Sequence, residues 1–239
     1  MKVPVRTRDE VGQLTVAFNE MTEGLAQKER YRTLLNQVAD ERVAQQLISG
    51  QIKLGGEVRQ ASVLFCDIRG FTALTQNMPP TEVIEMLNEH MTALTRRVKE
   101  HEGVLDKFVG DLLMAIFGAP LAHGDDVLHA ARCAVSLLEE RKRLNQTSRH
   151  QIQVGIGLAT GNVVAGGMGS AERFHYTVLG ERVNLASRLC QQAAAGEILI
   201  EQTTYELLTN QIIAEPGPAL TLKGFAAPVK VYRLLGLKE

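Results

Sequence analysis

The 239-residue chain has no run approaching the roughly 18 apolar residues that a membrane-spanning helix requires. No signal-peptide pattern opens it. Neither charge sign is in surplus: 26 Lys and Arg stand against 27 Asp and Glu. No global field therefore draws the chain to nucleic acid or to an anionic lipid surface. Cysteine is scarce. Cys66, Cys133 and Cys190 are odd in number, unclustered and set among apolar neighbours, and no CxxC occurs, which argues against a disulfide framework or a zinc ribbon. Also missing are a Walker A loop, a GxSxG elbow and an HExxH helix. The six histidines are scattered, and His90, His101 and His129 fall in helical patterns where an exposed or locally bonded ring is expected, so a His-based hydrolytic triad has no support. With 45% hydrophobic and 22% charged residues, the composition is that of a globular protein and rules out a disordered tail. These bounds predict one or two domains of a soluble protein from a reducing compartment.

The first segment is helical in pattern. Thr7 and Glu10 fit a capping box. Val11, Leu14, Phe18, Met21 and Leu25 then recur at alternating spacings of three and four, a narrow seam of the coiled-coil kind rather than a broad buried face. Lys28 breaks the seam, and Tyr31, Leu34 or Leu35, and Val38 take up a shifted phase. Two readings stand: a helix docked on its own domain, or one that pairs with a partner chain. The run Arg8-Asp9-Glu10-Val11-Gly12-Gln13-Leu14, followed by Ala17-Phe18-Asn19-Glu20-Met21, resembles the second helix of a HAMP signalling domain. That resemblance implies a HAMP helix over 1–27 and a helical connector over 28–56. It also implies a parent protein held at a membrane by an upstream segment that this chain lacks, with Met1 an artificial start.

From Ala61 the pattern changes to strands alternating with helices. Ser62 to Cys66 is a near-continuous apolar run, as in a strand covered on both faces. Pro79-Pro80-Thr81 opens a long helix with a seam of Ile84, Leu87, Met91, Leu94 and Val98, closing near Gly103. Val104 to Val109 and Leu112 to Phe117 flank Gly110-Asp111 and predict a β-hairpin. A helix is expected over Asp125 to Leu144, then a strand through the alternating Ile152, Val154, Ile156 and Leu158. Shorter strands are expected at Tyr176 to Leu179, Ile198 to Ile200 and Val229 to Leu234, with helices between. The fold class is α+β.

Acid stands where strands end. Asp67 closes the first strand, and Ile68-Arg69-Gly70-Phe71-Thr72 then turns toward a helix, offering backbone amides to a phosphate. Asp111 occupies the hairpin turn. Neighbouring strands would bring the two carboxylates together, where hard oxygen ligands favour Mg²⁺ or Mn²⁺. On spacing alone, Asp67 reads equally well as a helix cap and Asp111 as an ordinary turn residue.

Four blocks carry a closer resemblance: Phe65 to Thr72, Lys107 to Asp111, Tyr176 to Gly180 and Val183 to Leu189. Together they are similar to the class III nucleotidyl cyclases of the bacterial adenylate cyclase type, over about Glu57 to Leu235. The resemblance implies a catalytic domain over 57–239 with a ferredoxin-like, palm-type mixed sheet covered by helices, behind the N-terminal coiled-coil segment. It implies a head-to-tail homodimer with active sites at the interface. Asp67 and Asp111, with Ile68 beside them, would hold two Mg²⁺ or Mn²⁺ ions per site. Gly70, Phe71 and Thr72 would meet the phosphates; Lys223, in Leu222-Lys223-Gly224, would be a further phosphate contact, although a Lys near a turn also reads as a solvated side chain. Asn184 would orient the ribose and Arg188 would stabilise charge on the α-phosphate, both from the partner subunit. Lys107 and Thr177 would read the base: Lys107 brings only donors and suits adenine N1, while the Thr177 hydroxyl accepts from the exocyclic amine. ATP is the implied substrate, converted to cyclic AMP and pyrophosphate. Many members carry Asp where this chain has Thr177. The bicarbonate-responsive subset carries Thr, which makes bicarbonate the implied effector. A non-catalytic signalling module is the alternative, although Asp67, Asp111, Asn184 and Arg188 are all retained. A diguanylate cyclase would need a Gly-Gly-Asp/Glu-Glu-Phe hairpin, which Val109-Gly110-Asp111-Leu112-Leu113 is not.

Overall fold

A computed structural model of the chain describes residues 3–38, 40–50, 52, 55–170, 172 and 174–238. Described side chains do not include those of 32, 34–38, 41, 47 and 48, so the shifted seam expected at Leu34, Leu35 and Val38 lies outside them, as do residues 39, 51, 53 and 54 of the expected connector. Helix α1 (Glu10–Val38) is continuous through Lys28. Its start is capped by Asp9, whose carboxylate accepts from the Gly12 amide at 3.1 Å. The expected Thr7–Glu10 box is not used: a carboxylate directly before the first turn satisfies the amides and complements the helix dipole better than a hydroxyl two residues earlier. Val11, Leu14, Phe18, Met21 and Leu25 are 46–70% exposed, so the seam does not dock on the chain's own domain. Helix α2 (Glu41–Ile48) follows and buries Val43 and Ala44.

Two long strands form the middle of the domain. Strands β1 (Gly55–Ile68) and β4 (Val154–Gly169) pair antiparallel from Gly55 opposite Gly167 to Ile68 opposite Val154. On the other side of β1 lies the hairpin of β2 (Val104–Val109) and β3 (Leu112–Phe117). Beyond β4 come β6 (Ile198–Glu201), β8 (Val231–Leu237) and β7 (Ile212–Pro216), while β5 (Phe174–Leu179) pairs with the far half of β4. The β4–β6 pair is parallel and the others antiparallel, which makes the eight-stranded sheet mixed. Helices α4 (Pro80–Glu100) and α5 (Asp126–Asn145) cover one face, over Leu64, Cys66 and Ile68 of β1. Helix α6 (Glu181–Gln192) covers the other, over Val63 and Phe65. Two short helices, α3 (Phe71–Thr75) and α7 (Gln202–Leu208), complete the order.

The expected α+β class and the hairpin at Gly110-Asp111 are present. Several local readings differ. β1 opens at Gly55, before the expected Ser62, and β4 runs to Gly169, well past Leu158. The extra length of β4 is rich in glycine, which reads as turn in one dimension but pairs as strand when β1 supplies its in-register partner. β7 has no counterpart among the expected strands. In α4, Ile84 is exposed, and Met86, His90 and Ala93 join the buried face in its place. His90 is neither exposed nor bonded within its own helix: it is 1% exposed between α4 and α5, with Nδ1 3.3 Å from an Arg141 guanidinium nitrogen.

Candidate functional site

The end of β1 holds the first part of the site. Asp67 is the last acidic position before the strand leaves the sheet, one residue beyond the Cys66–Leu113 pair with β3 and opposite Gly155 of β4. The β2–β3 turn brings Asp111 to the same end. Gly110 takes φ 64° at the first turn position, which the two-residue hairpin needs and a side chain resists. The two carboxyl groups are close enough for the charge of Asp111 to act on Asp67. Burial pushes the Asp67 carboxyl above the usual range, the Asp111 charge raises it further, and Arg69 pulls it back. Arg69 Nη2 lies 3.5 Å from Asp67 Oδ2 and also donates to the Cys190 carbonyl at 2.9 Å. Asp67 is thereby tied to the C-terminal end of α6. A strained pair of hard anionic oxygens fits a divalent cation of the Mg²⁺ class, which would relieve the repulsion. The Ile68 side chain is buried, so a contribution from this residue is confined to its backbone. Gly70, at φ 68°, leads into the five-residue α3; Phe71 packs partly on the core and Thr72 is exposed.

A second cluster joins β2 to β5. Lys107 Nζ donates to Thr177 Oγ1 at 3.1 Å, and Thr177 is 2% exposed. The two residues expected to act on one ligand are thus brought together within one chain. Between them stands a residue absent from the sequence expectations, Asp106. Its Oδ2 accepts from Thr177 Oγ1 at 2.9 Å and lies 3.0 Å from Lys107 Nζ, and its side chain is 1% exposed. Burial pushes its carboxyl up, while Lys107 and Thr177 hold it down. One signal was available in the sequence: an acid in the middle of the apolar run Val104 to Val109.

The remaining expected residues stand apart. On α6, Leu185, Ala186, Leu189 and Cys190 face the sheet, leaving Asn184 and Arg188 turned away from it. Arg188 donates to Gln191 at 2.8 Å, and Asn184 has no side-chain partner among the described residues. Lys223 is exposed in the turn after Leu222 and likewise has no described partner. Among the described residues, no hydrogen bond or ion pair joins Asn184, Arg188 or Lys223 to the acid pair, and no group of three or more His, Cys, Asp or Glu gathers to hold a metal. Two cavities of about 400 and 420 Å³ are lined by other residues, so the acid pair belongs to neither.

Residues 56–236 match the family model of the adenylate and guanylate cyclase catalytic domain. The chain belongs to this cyclase family. Among solved structures, the domain resembles the adenylyl cyclase CyaB from P. aeruginosa, with TM-score 0.74 and 32% identity over 78% of this chain and 98% of that one. It resembles the guanylyl cyclase Cya2 equally, with TM-score 0.75 and 33% identity over 78% of this chain and 96% of that one. Curated relatives include an uncharacterized protein of Mycobacterium tuberculosis, 38% identical over 93% of this chain and 39% of its own length. A second protein of that organism is 37% identical over 96% of this chain and 42% of its own length. The chain therefore spans about two fifths of the curated relatives it matches. Likeness of fold is the same to a cyclase of either base, which leaves the base to the residues that meet it. Among the described residues, no helix of the cyclase domain or of the segment before it is long and apolar enough to cross a membrane.

Proposed function

We propose that this cyclase is an adenylate cyclase that converts ATP to 3′,5′-cyclic AMP and pyrophosphate. The observation that carries the choice of base is the 3.1 Å contact between the half-exposed Lys107 and the buried Thr177. Lys107 has only donors, which suit the bare N1 of adenine and leave the N1–H of guanine facing another N–H. A buried mismatch of this kind costs about 1–3 kcal/mol because both groups stay unpaired.

The reaction is internal. The ribose 3′-oxygen attacks the α-phosphorus as its proton leaves to solvent, the bond to the bridging oxygen of the β-phosphate breaks, and pyrophosphate departs. Asp67 and Asp111, with the backbone of Ile68, would hold divalent ions (two Mg²⁺ or Mn²⁺), which would lower the pKa of the 3′-hydroxyl and offset the charge of the triphosphate. Gly70, Phe71 and Thr72 turn the α3 entry toward the phosphates, with Lys223 a further contact. Asn184 orients the ribose, and Arg188 stabilises charge that builds on the α-phosphate.

Because Asn184 and Arg188 turn away from their own sheet, a second copy in head-to-tail arrangement supplies them to the acid pair. An exposed apolar row supports this dimer: Val58, Val164 and Leu179 lie side by side across β1, β4 and β5, at 70%, 45% and 51% exposure. Residues 1–27 are read as a HAMP helix and 28–56 as a connector carrying an upstream signal to the domain at 57–239, with the parent protein anchored at a membrane. Thr177 makes bicarbonate the proposed effector. A flat rate across added bicarbonate at fixed pH would remove that element of the reading.

The test supplies ATP and GTP separately, each with Mg²⁺ and with Mn²⁺, and measures both cyclic nucleotides. Cyclic AMP well in excess of cyclic GMP is expected. No product from a sample shown to be dimeric overturns the reading in favour of a signalling module. Mixing Asp67→Ala with Arg188→Ala chains is expected to restore one intact site per mixed dimer, and no recovery overturns the shared site.

A further inference from the structure

Strand β2 carries an irregularity at the base-facing cluster. Leu105 pairs with Ala115 and Lys107 with Met114, so Asp106 is an extra residue opposite no partner on β3. In a regular strand, residues 106 and 107 would point to opposite faces. The bulge re-aims them, and both reach the same hydroxyl on β5: Lys107 Nζ at 3.1 Å and Asp106 Oδ2 at 2.9 Å from Thr177 Oγ1. The Asp106 carboxylate has no packing rationale. It is buried, and its Oδ1 has no hydrogen-bond partner among the described residues.

A hydroxyl is ambivalent, donating one hydrogen bond and accepting two. Left free, Thr177 could turn its proton toward the carbonyl O6 of guanine or its lone pairs toward the amine of adenine, and would choose weakly. We propose that Asp106 is a specificity-determining positioning residue: by taking the Thr177 proton it makes that hydroxyl an acceptor only, so that the site favours a purine with an exocyclic 6-amine over one with a 6-carbonyl. With its proton on Asp106 and one lone pair on Lys107, Thr177 keeps a single lone pair for the ligand. That lone pair meets the N–H of a 6-amino purine and repels the oxygen of a 6-oxo purine. The inference rests on the reading that Lys107 and Thr177 face the base, and it extends that reading to a residue that need not touch the nucleotide.

The experiment compares kcat/KM for ATP, for GTP and for purine riboside triphosphate, which lacks the 6-amine, in the wild type, Asp106→Asn, Thr177→Val and the double variant. Asparagine keeps the shape of aspartate but can present N–H to Thr177, freeing the hydroxyl to donate. Asp106→Asn is expected to lower the ATP-to-GTP ratio by roughly 10–100-fold, the worth of one mispaired buried hydrogen bond. It is also expected to narrow the gap between ATP and purine riboside triphosphate. Thr177→Val relaxes the ratio independently, and adding Asp106→Asn to it shifts the ratio no further. An Asp106→Asn enzyme that loses ATP and GTP turnover in parallel, with the ratio unchanged, overturns the inference and leaves adenylate cyclase activity standing. A further shift of about tenfold or more in the Thr177→Val background overturns action through that hydroxyl. A wild-type enzyme that prefers GTP overturns the choice of ATP itself.

Discussion

Two carboxyl groups at the ends of adjacent strands repel, and the repulsion is visible at Asp67, held above its usual range by burial and then by Asp111. A bound divalent cation removes that strain, so Mg²⁺ or Mn²⁺ is expected to raise the melting temperature without nucleotide. Asp111→Asn should itself stabilise the metal-free domain and abolish the metal-dependent rise; an equal rise in both proteins sinks the assignment of these carboxylates. Two other groups set the acid limit. Glu140 joins α5 to α4 through Arg96 and Arg97 and is paired within α5 with Arg143, whose hydrogen bonds are the chief cause that holds its carboxyl down at about 2. Its contribution is complete above the ordinary value of 4.5 and fades as pH falls toward about 2. His90 is pushed down from 6.5 to about 4 by burial and then by Arg141. A depressed imidazole stabilises the fold above pH 6.5 and loses that contribution as the pH drops through 4. Urea unfolding at stepped pH should therefore show stability declining from pH 6.5 downward, with the upper part of the slope missing in His90→Phe; an unchanged slope refutes the His90 contribution. Asp67, Asp111, Lys107 and Thr177 were legible in the sequence because each sits in a short block with its own turn or strand. Asp106 was not: its place in the cluster depends on a bulge and on a hydroxyl 71 residues away.

Elements transmit these positions. α6 approaches β4 so closely that a Cβ on Gly157 would collide with the Ala186 carbonyl and the Cys190 amide. Gly157→Ala must displace the helix that carries Asn184 and Arg188. It is expected to cost about 1–3 kcal/mol in urea unfolding and to lower kcat at saturating ATP; an unfolding curve that overlays the wild type refutes that packing. At the other end, Arg42 of α2 donates to the Glu102 carbonyl at 3.0 Å, to the Gly103 carbonyl and to the Glu102 carboxylate at 3.2 Å. Gly103 leads directly into β2, which carries Asp106 and Lys107, so α2 is fastened to the strand that presents the proposed base-reading cluster. Arg42→Ala should loosen that fastening, read as faster amide exchange over 102–109 with little change in α5; unchanged exchange over 102–109 dismisses the link. The elements themselves were mostly visible as periodicity. The hairpin, α4, α5 and the start of β4 each announce themselves over a window of a few residues. The glycine-rich far half of β4 and the short β7 acquire their strand character only from partners remote in the chain, which no local window contains.

At the scale of the whole molecule, what is incomplete decides what the domain can do. The acid pair sits where β1 and the β2–β3 hairpin end, Asn184 and Arg188 turn away from their own sheet, and the apolar row of Val58, Val164 and Leu179 is bare. The proposed partner, a second copy of this domain, would satisfy all three. A stable interface of this sort buries about 800 Å² on each subunit, with its apolar centre dry. A charge at the centre of the row should therefore prevent association and leave the subunit folded, since Val164 is 45% exposed without a partner. Val164→Glu is expected to sediment as a monomer, to unfold within about 0.5 kcal/mol of the wild type as exposed substitutions do, and to lose cyclase activity. Wild-type specific activity should rise with protein concentration and level off as the dimer fills. The Val164→Glu rate should stay low until concentrations force association. If the variant remains dimeric, the apolar row is not the interface; if it is monomeric yet turns over ATP at the wild-type rate, the shared site is wrong. Asn184 and Arg188 would then have to reach the acid pair of their own chain, although α6 turns both away from the sheet.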